Sequence, residues 1–272
     1  MPKGADTVRK ILIVGLIPLL LCLNGCKSIS PNPVSTAATT IMVAESTFVT
    51  DISTPETTVA PTPQPTHSSY YIPGLDTADL VRYFCEVVLD AEYVNAGNAS
   101  VVQKWSVPIL YFIHGTPTEE DLLCISSTVQ WFNSIPGFPG MTCVDSSEDA
   151  NLQIHFTDRQ DMISLMGQQH AADDGAVTFW YENNQIYRGI ICCRTDLDQH
   201  TRNSVIQEEL YNAMGPIQDT NLRADSVIYS GFSTPQQLTE VDKLIMTLLY
   251  HPDMLCGMNA TECDCLIRSL YP

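Results

Sequence analysis

The chain has 272 residues and carries 13 Lys and Arg against 31 Asp and Glu, a formal net charge of −18. A surface that acidic repels phosphate backbones, which argues against nucleic acid as a partner. The length suits one domain with extensions.

Lys3, Arg9 and Lys10 precede an apolar run over residues 11–23, the pattern of a secretory signal peptide. The run is too short for a comfortable spanning helix. Leu23-Asn24-Gly25-Cys26 then reads as a bacterial lipobox, in which Cys26 becomes the lipidated first residue of the mature chain. Removal of residues 1–26 leaves 10 basic and 30 acidic residues. Acyl chains on Cys26 would therefore hold the protein at the cell membrane without help from charge. Residues 27–70 are rich in Thr, Ser, Pro and Ala, with Pro61, Pro63 and Pro65 crowding the distal end. Such a segment cannot bury enough apolar surface to offset its ordering entropy and is expected to be an unfolded stalk. Residues 71–272 are expected to form a single domain.

Within that domain the periodicity predicts a helix over 77–93 through Leu80, Phe84, Val87 and Val88, capped by Asp76 or Thr77. A strand over 107–113 ends at His114-Gly115. Thr118 caps a helix over 122–132, with Glu119 and Asp121 near its positive end. Strands follow at 141–144 and 152–156, the latter alternating Leu152, Ile154 and Phe156 inward. A pair of strands at 176–181 and 185–192 turns at Asn183-Asn184. A helix spans 202–214, and Thr239 caps a last long helix with Val241, Leu244, Ile245, Leu248 and Leu249 on its apolar face. Eight cysteines lie beyond Cys26, an even number in a chain that reads as exported. At least two disulfides are expected, involving Cys256, Cys263 and Cys265. Cys192 and Cys193 are neighbours in a strand and should point to opposite faces.

The 202–214 helix carries the chemistry. Ile206, Leu210 and Ala213 form one apolar face, and Glu208 and Asn212, four apart, project together on another. Gly215 ends the helix and Pro216 forbids its continuation. Laid over H-E-x-x-H-x-x-G-x-x-H, the spacing holds throughout. Glu208, Asn212 and Gln218 stand at the three histidine positions, Glu209 at the catalytic glutamate and Gly215 at the glycine. The stretch thus resembles a degenerate metzincin motif. Ser226-Val227-Ile228-Tyr229 is similar to the tight turn of that superfamily, with Ile228 where the floor methionine would stand and Tyr229 beside it.

The chain is also similar to a family of bacterial exported proteins of unknown function. Its motif runs roughly E-E-L-x-Q-x-x-G-L-x-x-D, then S-x-[FY], then L-Y-x-P…G-M. Asn212 replaces the usual Gln and Pro216 the usual Leu, whereas Asp219, Leu249-Tyr250-His251-Pro252 and Gly257-Met258 match. The resemblance implies a zincin-like α/β (α+β) fold, a twisted mixed sheet packed on an active-site-type helix, with a C-terminal helical subdomain.

Zinc favours nitrogen or sulfur donors in a tetrahedral array, so carboxylate and amide oxygens at the ligand positions predict no zinc. Those oxygens, with Asp219, suit a hard cation such as Ca²⁺ better. Alternatively, the two amides hydrogen-bond Glu208 and one another in place of a metal. His114, His155, His170, His200 and His251 offer no i, i+4 pair; His200, two turns before Glu208, is the one placed to approach the cleft. One of Glu208 and Glu209 reads equally well as a solvated or capped carboxylate. No G-x-S-x-G elbow occurs. The expected function is a membrane-tethered module that binds an extended peptide or cell-envelope polymer along the edge strand at 176–181. The alternatives are a protease-like hydrolase acting through Glu209 and a purely structural role.

Overall fold

Leu152, Ile154 and Phe156 are buried while Gln153, His155 and Thr157 are half-buried, the period-two pattern of a strand with one face on a core. The computed structural model describes residues 12–13, 71–89, 100–231 and 233–271. The lipobox, the stalk and the end of the helix expected over 77–93 lie outside them. The chain divides into two units, Met1–Leu16 with His67–Pro272, and Ile17–Thr66; every described residue belongs to the first.

In chain order the elements are β1 (Leu12–Ile13), α1 (Thr77–Leu89), β2 (Lys104–Trp105), β3 (Ile109–Gly115), α2 (Glu119–Asn133), β4 (Met141–Cys143) and β5 (Leu152–Thr157). There follow α3 (Arg159–Met166), β6 (Gly175–Glu182), β7 (Gln185–Arg194), α4 (Gln199–Ala213), α5 (Glu240–Leu249) and α6 (Ala260–Leu270). The strands form one mixed sheet in the order β1-β6-β7-β5-β3-β4, with β2 also pairing β7. β3, β4, β5 and β7 run parallel, and β6 is antiparallel to β7. The β6–β7 hairpin turns where expected, because Asn183 and Asn184 both hold positive φ, at 51° and 63°. β6 thus lies at the margin of the sheet, with only the two residues of β1 beyond it.

The register sorts the side chains. Tyr111, Leu152, Gly189 and Phe179 share one row, and Ile113, Ile154, Ile191 and Val177 the next. This face meets α4, which packs on β6, β7 and α2. On the opposite face Ile190 and Cys192 meet Met162 and Met166 of α3. Cys193 belongs to the main core and Cys192 to the smaller cluster, so the vicinal pair does face opposite ways. The architecture is zincin-like: a mixed sheet on a central helix, followed by a C-terminal helical subdomain of α5 and α6, with α6 packed on α1.

Several boundaries differ from the sequence reading. α4 begins at Gln199, because Asp198 caps it by accepting from the Thr201 amide. The cysteine-dense tail is a helix, started by Asn259 and Glu262 in a reciprocal capping box. Among the described residues Cys124, Cys143, Cys192, Cys193, Cys256, Cys263 and Cys265 are free thiols. The tail is held instead by packing: Cys263 is fully buried, with its Sγ 3.7 Å from Met254 Sδ.

Candidate functional site

α4 is enclosed on nearly every side, with Ser204 through Ala213 all buried. Its polar side chains are therefore committed to partners, and the seam with α2 shows how. Arg202 Nε donates to Asp121 Oδ1 at 2.9 Å, and Gln199 Nε2 donates to the same oxygen at 2.6 Å. Lower on the seam Gln207 Nε2 donates to Thr128 Oγ1 at 2.8 Å. At the far end, Trp105 Nε1 donates to Ala213 O and the Tyr250 hydroxyl to Met214 O, each at 2.8 Å. Carbonyls at a helix end lack intrahelical partners, so these two donors close α4. This gives the tyrosine of L-Y-x-P a physical role.

Gly215 turns the chain out of α4 at φ +133°, where a Cβ would lie 2.8 Å from Gln103 O and 3.0 Å from Leu249 Cδ2. The loop beyond is pinned by the last turn of α1: Ile217 N and Gln218 N both donate to Val87 O. Residues 220 and 229 then bridge in parallel, Thr220 N donating to Ile228 O. The turn at 226–229 hangs on one buried carboxylate of α5. Asp242 accepts from Ser226 Oγ at 2.6 Å, from Val227 N, and from Thr239 N and Oγ1. Tyr83 of α1 donates to Ser226 Oγ at 2.9 Å, and the Tyr211 hydroxyl of α4 to Asp242 O at 3.2 Å. Burial raises the Asp242 carboxyl above its ordinary value, and its donors only partly offset that rise. Ile228 is fully buried in the core and Tyr229 half-buried above it.

Glu208 and Glu209 are 2% and 3% exposed, so neither is the solvated carboxylate considered from sequence. Glu209 lies against the sheet: a methyl added at Gly175 would stand 2.6 Å from Glu209 Oε1 and 2.5 Å from Val205 Cγ1. The first residue of β6 thus sits directly on the glutamate, and only glycine leaves it room. Burial, and secondarily this glutamate, pushes the Cys192 thiol up to about 12. Asn212 is also buried, and its Oδ1 has no hydrogen-bond partner among the described residues. Gln218 is half-buried, and its Nε2 donates to the adjacent Asp219 O at 3.3 Å. His200 is exposed on the first turn of α4, away from Glu208. Phe179 is buried in the core, whereas Trp180 is half-buried and carries Arg188 4.8 Å over its ring.

Zinc does not fit this donor set. Its positions are filled by one carboxylate and two amides, and among the described residues no group of three or more His, Cys, Asp or Glu is placed to hold an ion. Sequence reasoning also passed over a buried pair close by. His170 Nδ1 lies 2.9 Å from Asp173 Oδ2, both almost wholly enclosed, just before Gly175. Their i, i+3 spacing was visible, but nothing in the pattern signalled burial.

Fold and helix together define a zincin-like domain whose residues 208, 212 and 218 hold no imidazole. Residues 77–269 match a family described as a protein of unknown function (DUF2927), and the chain belongs to that family. Among solved structures, one titled "Structure of Myroilysin" aligns with 72% of this chain and 96% of that chain, at 12% identity and a TM-score of 0.32. No curated protein matches the chain.

Proposed function

We propose that this is an exported, lipid-anchored binding module of the bacterial cell surface. It would hold an extended peptide or cell-envelope polymer along β6 and carry out no zinc chemistry. The observation that carries the reading is the union of an intact scaffold with an altered donor set. The Gly215 turn, the Asp242-anchored turn and the enclosed α4 are all present, while the motif spacing puts Glu208, Asn212 and Gln218 where a metzincin would carry its histidines. In this reading those three side chains face a common cleft together with Asp219. β6 supports the mode of binding, because β1 pairs it only at Thr178 and Phe179, and the remainder of a marginal strand offers backbone groups to an extended partner. Anchoring rests on Leu23 to Cys26.

The experiment is hydrogen exchange on the protein with and without the tightest binder from a random decapeptide library. Slowed exchange at residues 176–181 is expected. Protection confined to another face would overturn the assignment of β6.

One observation favours a second reading, a cation-dependent hydrolase acting through Glu209. Asn212 Oδ1 is a buried acceptor without a hydrogen-bond partner among the described residues, and a hard cation such as Ca²⁺ would satisfy it. Peptide or cell-wall hydrolysis lost in Glu209→Gln would decide for this reading.

A further inference from the structure

A cavity of ≈ 450 Å³ opens on the other side of the Tyr250 ring, between β2, the 137–139 loop and the 250–256 segment. Its size is that of a small-molecule site. Leu255, 62% exposed at the lip, with Pro139 and Pro252 supplies the accessible apolar wall over a floor of buried Trp105, Tyr250 and Met254. Lys104 supplies the basic group, whereas His251 already has Asp253 Oδ2 3.8 Å from its Nδ1. No Asp or Glu lines it, in a chain where acids outnumber Lys and Arg by 31 to 13.

Lys104 is the informative residue. Its Nζ donates to Leu249 O at 2.8 Å and to Met254 O, and lies 5.4 Å from the centre of the Tyr250 ring. An ammonium has three N–H donors, so two carbonyls leave one over. No carboxylate pairs with it among the described residues, although such a pairing is the usual fate of a half-buried lysine in an acidic protein. Burial without a counter-charge pulls its pKa down to about 8, with nearby Cys256 opposing the fall. Two neutral carbonyls orient the charge without neutralising it.

We propose that this cavity binds a compact molecule with a hydrocarbon body and a single carboxylate, which takes the third N–H of Lys104. Leu255, Pro139 and Pro252 accept the body, and no carboxylate among the lining residues opposes the anion, Asp253 being engaged by His251. The site is separate from the Glu208 cleft and does not depend on what that cleft binds.

The probe is 4-phenylbutyrate, titrated into the full chain by calorimetry and followed by NMR at the Trp105 indole N–H. Its neutral partner, 4-phenylbutyramide, is run beside it. Saturable binding of the acid is expected, about 10-fold or more tighter than the amide, as a charged hydrogen bond implies. Lys104→Met should weaken the acid by a similar factor and leave the amide unchanged. Because Lys104 also holds two carbonyls, the variant's fold is checked by circular dichroism. If the variant does not fold, the acid-against-amide comparison on the native chain decides alone. Equal affinities for acid and amide, or no saturable binding of the acid, would overturn the proposal.

Discussion

Asp121 is 1% exposed and serves two elements at once. It closes the capping box of α2 with Thr118 and receives Arg202 and Gln199 from α4. Burial alone would raise its carboxyl, but the Arg202 guanidinium, the Thr118 amide and the Gln199 side chain outweigh it and hold the pKa below the ordinary 3.8. A depressed carboxyl contributes stability above the unfolded value, and that contribution disappears as pH falls from 3.8 through the lower folded value. Asp121→Asn strands a buried guanidinium and should cost about 3 kcal/mol at neutral pH, read by denaturant unfolding. The variant should also lose less stability than the native chain as pH drops below 3.8. Sequence analysis placed Asp121 at the positive end of α2 but could not show its second role. Arg202 lies 81 positions away, and only the fold brings the two together.

At the scale of elements, the strands were legible because alternation with burial on one face is a strong signal, as along β5. α4 was legible for a different reason. Its apolar face of Ile206, Leu210 and Ala213 marked it as a helix, and the spacing of Glu208, Asn212, Gly215 and Gln218 singled it out as the site, while its burial on nearly every side was not legible. α3 was missed because it is eight residues long and buries only Met162 and Met166. α6 was missed because its cysteines suggested a stapled tail, while its start depends on the Asn259 cap. The Gly215 turn offers the sharpest test of how α4 is held. Gly215→Ala meets both a positive φ and the Gln103 carbonyl at 2.8 Å, and should cost about 2 kcal/mol or more in thermal or urea unfolding. An unchanged transition would show that the turn has other ways to close.

At the scale of the whole molecule, the proposal joins a lipid anchor, a Pro/Thr/Ser stalk and a zincin-like domain. The first two lie outside the described residues, so they are tested in cells. Cys26→Ser should release the protein from the membrane fraction, as judged by fractionation and immunoblotting; equal retention of variant and native chain would remove the anchor from the account. The domain, by contrast, stands on contacts already described, and its central claim concerns what α4 holds. That claim is tested most directly by the metal content of the chain purified without chelator, measured by inductively coupled plasma mass spectrometry. The account predicts zinc well below one equivalent, unchanged in Glu208→Ala. One equivalent of zinc in the native chain, lost in Glu208→Ala, would contradict it.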